Sequence, residues 1–367
     1  MSKTKINEKQ PLIHVVKRDE LPPKKTIPLR ILAFLLALVA GGLFMMAIGC
    51  NPFEVYATII NGCFRSKMAI QATVKIMIPL VISALGVTLA FKMQFWNIGA
   101  EGQIIMGAVF ATYFALFHSD WPHWLLMIVM FLAGMIGGGL WALIPTIFKV
   151  KFGTNETLFT LMLNYIALYI IQFLRDGPWW DPKSPGYAKI ATFVPNATLD
   201  KVLGVHSGWI IALVLCVFVF VYMKFTKQGY ELSVVGGSKA TASYAGMNVK
   251  KIMIRTMLIS GAICGIAGMV QASGADATLS VGVAGGVGFT AIIVAWLANL
   301  NPGLILIISA LFAILEKGSR VVESNMGISA DSSAVLQGIL LFFIIGCEFF
   351  FRYRFQKRAK KESKVGE

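Results

Sequence analysis

Phe95-Trp96-Asn97-Ile98-Gly99-Ala100-Glu101-Gly102-Gln103-Ile104-Ile105-Met106 places three polar side chains, Asn97, Glu101 and Gln103, within seven residues of an otherwise apolar run. A carboxylate in or beside a bilayer costs several kcal/mol unless it faces water or a partner. Gly99, Ala100 and Gly102 lie between those polar residues, and small residues let a second backbone come close. Two readings stand at this point. The stretch is a functional polar break in a membrane helix, or a solvated helix end whose small residues serve packing.

Outward from this stretch, the 367 residues are 57% hydrophobic and 14% charged. Soluble domains average about 45–50% apolar residues even with glycine counted. Several runs reach the roughly 20 apolar residues a helix needs to cross hydrocarbon. The fold class is therefore all-α, a polytopic helical membrane protein with about ten transmembrane helices. Expected spans cover about 31–49, 75–92, 97–118, 124–148, 157–174, 208–225, 252–271, 303–316 and 333–350. The apolar segment 289–300 follows a glycine-rich stretch and is too short for an ordinary span. It is a candidate broken or re-entrant helix, which is tolerated only when buried or lining a cavity. Residues 52–72 read as an interfacial amphipathic helix or external hairpin. Gly134 and Gly137 to Gly139 suit close helix packing.

The net charge is +15, but its placement argues against nucleic acid. Of the 33 Lys and Arg residues, 24 fall in 1–30, at Lys92, and in 149–151, 224–255 and 352–364. Those segments share one side if both termini are cytoplasmic, as the positive-inside rule requires. The organisation is then a basic tail (1–28), a membrane body (29–351) with a cytoplasmic loop at 226–251, and a second basic tail (352–367). The five cysteines show no metal-type spacing, and a Cys50–Cys63 disulfide is left open.

Function classes narrow quickly. His14, His118, His123 and His206 all fall in tails or interfacial loops, and HExxH and GxSxG do not occur. Nothing resembles a filter motif. Without GxxxxGK[ST], the chain has no P-loop route to ATP hydrolysis. A transporter fits better, because polar residues gather at a few helix breaks in long apolar runs. The segment 236–247, Gly-Gly-Ser-Lys-Ala-Thr-Ala-Ser-Tyr-Ala-Gly-Met, is a short helix of small residues flanked by glycines. It is either a plain connection or a helix that docks into a separate ATPase.

Four blocks carry a resemblance. They are Phe95 to Gln103; Asn155-Glu156-Thr157-Leu158-Phe159-Thr160-Leu161-Met162-Leu163-Asn164-Tyr165-Ile166-Ala167; Gly237 to Met247; and Gly288 to Leu297 continuing to Asn301-Pro302. In this order, over roughly 75–350, the chain resembles the permease subunit of bacterial ABC importers for simple sugars, branched-chain amino acids and nucleosides. The second block looks most like the nucleoside branch. Ser238-Lys239 stands where that family often has Asn-Pro, and Trp296 and Ala298-Asn299 replace a commoner small residue and Leu-Gly.

The resemblance implies an ABC importer permease fold in a bacterial plasma membrane. It also implies a cytoplasmic ABC ATPase that carries the ATP, a second and related permease chain, and an extracellular solute-binding lipoprotein. No cofactor is expected on this chain, no metal site and no catalytic residue. The coupling loop would comprise Gly237, Ser238, Lys239, Ala240, Tyr244, Ala245 and Gly246. For an uncharged, hydroxylated solute, Asn97, Gln103, Asn155, Asn164 and Tyr165 are the candidate pathway residues. Glu101 and Glu156 read as carboxylates at helix N-termini, structural or gating. A ribose-type sugar permease, a branched-chain amino-acid permease and an ion-coupled carrier are the alternatives.

Overall fold

The computed structural model describes residues 13–17, 23–184, 186–329, scattered positions between 332 and 346, and 353–357. In chain order these form β1 (Ile13–Lys17), α1 (Pro23–Ala47), α2 (Pro52–Phe64), α3 (Lys67–Lys92), α4 (Ala100–Phe117), α5 (His123–Phe152) and α6 (Glu156–Asp176). A hairpin of β2 (Lys201–Val202) and β3 (Val205–His206) leads into α7 (Gly208–Phe225), α8 (Lys227–Gly237) and α9 (Lys239–Tyr244). Then come α10 (Val249–Val270) with a π-helical turn at Gln271–Asp276, α11 (Val287–Leu297), α12 (Pro302–Met326) and β4 (Tyr353–Lys357).

The chain divides into two compact units, Met1–Ile59 with Ser319–Glu367, and Ile60–Gly318. In the first, β1 and β4 pair antiparallel, with Ile13 opposite Lys357. The segment expected as a basic tail to residue 28 holds β1 and the opening of α1. Between Leu35–Ala47 and Pro52–Phe64 the chain bends by 115°. Gly49, at φ +89, takes the left-handed turn there, and Asn51 accepts from the Phe53 N–H at 3.0 Å.

The second unit is a helical bundle. Among the described residues six helices are long and apolar enough to span a membrane, or seven if the bent α1–α2 pair counts as one span. The expected 75–92 span begins earlier, at Lys67, because Ser66 caps the helix by accepting from Ala69 N–H at 3.1 Å. The short segment expected at 289–300 is α11, too brief to cross alone. α12 runs beyond the expected end at 316 as one helix to Met326. The expected span at 333–350 lies outside the described residues, apart from scattered positions.

Glycine sets the bundle's centre. A Cβ on Gly107 would lie 2.3 Å from the Gly265 Cα, and one on Gly268 would lie 1.9 Å from the Ile104 carbonyl oxygen. α4 and α10 therefore meet backbone to backbone, and Gly138 of α5 closes on Gly261 in the same way. Lipid supplies no hydrophobic drive between helices, so such close dispersion contact is what holds them. α3 joins the group where Ser260 Oγ donates to the Gly86 carbonyl at 2.7 Å. Cys50, Cys63, Cys216 and Cys264 are free thiols, so the Cys50–Cys63 bridge left open above is not formed.

Candidate functional site

Between α3 and α4, residues 93–99 leave the helix, and a chain break among apolar helices must find partners for its backbone groups. α6 provides them. Asn164 Oδ1 accepts from Gly102 N–H at 2.9 Å while its Nδ2 donates to the Ile98 carbonyl at 2.9 Å. Thr160 Oγ1 accepts from Ile98 N–H at 3.2 Å and donates to the Glu156 carbonyl at 2.8 Å. Asn97 Oδ1 accepts from Gly99 N–H at 3.0 Å, and the Asn97 and Gln103 amides exchange bonds of 3.2 and 3.3 Å. Asn97, Gln103 and Asn164 are 0%, 1% and 6% exposed. Gly102 is required here, since a Cβ would stand 2.9 Å from Asn164 Oδ1.

Glu101 faces a different neighbour. Its two oxygens accept from Gly286 and Gly288 N–H, each at 2.7 Å. These amides open α11, where the first N–H groups have no helical partner and the dipole favours an anion. The helix whose N-terminal amides Glu101 meets is α11 rather than its own. Gly286 sits at φ +82, and a Cβ on Gly288 would lie 2.3 Å from the Glu101 nitrogen, so only glycine permits this approach. At the far end of α11, Trp296 stacks on Trp96 with ring centres 5.7 Å apart, and Phe91 packs against both. Carboxylate and aromatic pair together tie the short helix to the break at both ends.

At the α5–α6 junction, Asn155 caps α6, its Oδ1 accepting from Thr157 and Leu158 N–H at 3.0 and 3.3 Å. Glu156 pairs with Lys149 Nζ at 2.7 Å and lies close enough to Lys239 of α9 to interact with its charge. Along α6, Tyr165 lies about 100° round the helix from Asn164 and falls on its exposed face. That face exposes Leu158, Met162, Tyr165, Ile166, Tyr169 and Phe173 and carries no charged side chain between its ends. Of the five candidate pathway residues, three are thus buried in one hydrogen-bonded knot. Asn155 is a cap, and Tyr165 is open.

The loop after α7 is built from local parts. Ser238, extended between α8 and α9, accepts from Thr241 N–H at 3.2 Å. A serine in this position starts a helix, here α9. Gly246 ends the turn at φ +76. Gly237, Ser238, Lys239, Ala240, Tyr244, Ala245 and Gly246 are all exposed, Tyr244 at 97%, whereas Ala242 faces inward. The loop is nevertheless anchored. A Cβ on Gly236 would sit 1.9 Å from the Lys92 carbonyl oxygen, and Arg255 of α10 pairs with Glu231 of α8 at 2.9 Å.

The sequence pattern did not point to Thr160, Gly286, Lys149 or the Trp96–Trp296 stack. The one available signal was positional, since Thr160 lies four residues before Asn164 and so on the same helical face. The contacts from Glu101 to Gly286 and Gly288 join residues 185 and 187 apart, which no local spacing reveals.

A family described as "Branched-chain amino acid transport system / permease component" matches residues 69–345. The chain is 30% identical to the glucose ABC transporter permease protein TsgB13 of Haloferax volcanii, over 91% of this chain and 93% of that one. It is 29% identical to the guanosine ABC transporter permease protein NupP of Bacillus subtilis, over 86% and 91% of the two chains. It is also 29% identical to the nucleoside ABC transporter permease protein NupB of Lactococcus lactis, over 88% and 90%.

Proposed function

Starting from a chain that belongs to the family of branched-chain amino acid transport system permease components, we propose that it is the membrane-spanning subunit of an ATP-driven importer of nucleosides. The observation that carries this reading is the exposed face of α6, which offers Tyr165 and Tyr169 and no charged group between its ends. Aromatic faces suit a flat, uncharged base and the apolar side of a sugar. The guanosine and nucleoside permeases, each aligned along most of its length, support the same choice.

In this reading α9 is the coupling helix, received by a cytoplasmic ABC ATPase that holds the ATP. A second, related permease chain faces α6, and an extracellular solute-binding lipoprotein delivers the nucleoside. Nucleotide and loaded binding protein favour different states of the bundle, and that difference drives alternating access. The chain itself performs no covalent step. Asn97, Gln103 and Asn164 act as positioning residues that fix α4 on α6, and Tyr165 meets the solute. Both termini are cytoplasmic in a bacterial plasma membrane, a reading supported by the antiparallel pairing of β1 with β4. Adding α11, α12 and the apolar run 333–350 to the six or seven described spans brings the count to about ten.

The test is uptake of labelled uridine, inosine and ribose by cells with and without this gene, with each unlabelled solute as competitor. Loss of nucleoside uptake that excess ribose does not compete supports the proposal. A sugar reading has its own support in the glucose permease relative. Loss of ribose or glucose uptake with nucleoside uptake intact would replace the proposal with that one.

A further inference from the structure

The end of α3 remote from the α9 loop borders a second candidate site. α3 is 26 residues long. A helix of that length, rising about 1.5 Å per residue, is long enough to cross hydrocarbon, so its two ends stand on opposite faces of a membrane. Lys92, at its C-terminal end, meets the α8–α9 side through Gly236. Its N-terminal end borders a groove of about 470 Å³ between the α2–α3 corner and the β2–β3 hairpin. That volume falls within the roughly 300–1,000 Å³ typical of small-molecule sites.

The walls are apolar, and the basic groups lie at one end. Phe64, Ile70, Val74, Val202, Leu203 and Trp209 form the sides, while Arg65 and Lys67 stand at the corner. No carboxylate lines the groove, and neither Arg65 nor Lys67 has an acidic partner among the described residues. Lys201, exposed on β2, and Lys75, one turn past Gln71 on α3, add two more cations on the same elements. These positions run against the charge bias of the chain, which places most Lys and Arg on the opposite side. The hairpin wall is preformed. Leu203 and Gly204 take left-handed backbone at φ +58 and +85, as a tight two-residue hairpin turn demands. Gln71 Nε2 donates to the Leu203 carbonyl at 2.8 Å. Leu203 is left 77% exposed over the groove.

We propose that this groove holds one anionic glycerophospholipid of the outer leaflet, its phosphate between Arg65 and Lys67 and an acyl chain along Ile70, Val74 and Leu203. An amphiphile with one negative charge matches both halves of the surface. A soluble anion would leave the apolar walls wetted, and a net-neutral lipid would bring its own cation up to the two exposed ones at the end of the cleft. Trp209, near the start of α7, is the interfacial aromatic expected where head groups meet chains. The site does not depend on which solute the protein carries.

The experiment is native mass spectrometry of the full chain released from nanodiscs of equal phosphatidylglycerol and phosphatidylcholine. One phosphatidylglycerol should be retained with a preference of about tenfold or more, as basic clusters near a membrane surface give. Arg65→Gln with Lys67→Gln should remove the preference. Leu203→Ser, at an exposed position, should reduce retention of both lipids. Retention and preference unchanged in the charge variants would overturn the proposal. So would displacement of the lipid by inorganic phosphate alone. Loss of binding-protein capture in those variants, with phosphatidylglycerol still held, would make the groove a protein docking face and equally overturn it.

Discussion

The break between α3 and α4 and the loop between α8 and α10 have similar compositions, small residues mixed with a few polar ones, and opposite fates. In the break, Asn97, Gln103 and Asn164 are buried and each answers a backbone or side-chain group of the bundle. In the loop, Ser238 caps its own helix, and Lys239, Ala240 and Tyr244 face outward. The surroundings decide. A polar group left unsatisfied among apolar helices costs several kcal/mol, so residues there become structural whatever else they do. In water that penalty is absent, and a surface of small residues stays free for a partner.

Neighbouring glycines give the sharpest break of this comparison. A Cβ on Gly236 collides with the Lys92 carbonyl, whereas one on Gly237 meets nothing within 4 Å. Gly236→Val should therefore destabilise the protein by about 3 kcal/mol through overpacking, and Gly237→Val should leave thermal unfolding in detergent nearly unchanged. Equal Tm losses in the two would mean that the loop is not anchored where the structure places it.

Next in size is Glu101→Gln. An amide oxygen can accept from one of Gly286 and Gly288 N–H, but its NH₂ would face the other, leaving a buried donor unmet at a cost of about 1–3 kcal/mol. Uptake should fall by about tenfold or more with the protein still in the membrane, because α11 loses its hold on the break. Normal uptake would assign the carboxylate to local capping alone.

Adjacent positions on α6 separate positioning from contact. Asn164→Ala removes two buried hydrogen bonds and should cost about 2 kcal/mol, read as a lower Tm with little change in KM. Tyr165 is 52% exposed. Tyr165→Ala should leave stability within about 0.5 kcal/mol of the parent and raise KM for the solute. Reversal of these outcomes would place Asn164 in the path.

A smaller effect depends on pH. His206 is 1% exposed with neither ring nitrogen hydrogen-bonded, and burial, with Lys75 nearby, pushes its pKa down to about 4. The unfolded chain takes up a proton near the ordinary histidine pKa of about 6.5 that the folded ring refuses, so stability declines as pH falls from there toward the folded value. His206→Phe should flatten that part of the Tm profile, although Gly208 and Gly274 press on the ring and limit its room. A profile of unchanged slope would exclude the histidine as its source.

Much of the fold was legible because helix spans follow from long apolar runs, and the bounds of α4, α6 and α7 lie within a few residues of those expected. The exposed helix within 236–247 was legible for a related reason: its small residues and flanking glycines are local signals. The start of α3 was missed because hydropathy sees the apolar run, not the Ser66 cap that extends the helix through Lys67 and Lys75. The partners of Glu101 were hidden too, since a tertiary contact with Gly286 leaves no periodic trace. That Asn164 and Tyr165, adjacent in sequence, point about 100° apart and so meet different surroundings was readable from helical geometry. Which of the two faces the bundle was not.

The most direct test uses the complete importer in proteoliposomes, with ATPase, both permeases and binding protein, and Ala240→Arg on the exposed face of α9. The account predicts unchanged thermal unfolding of the variant chain, with solute-stimulated ATP hydrolysis and uptake both reduced by about tenfold or more. Stimulated hydrolysis and uptake at the parent level would show that α9 is a connection only, and would contradict the assignment of this loop as the place where ATP-driven motion enters the bundle.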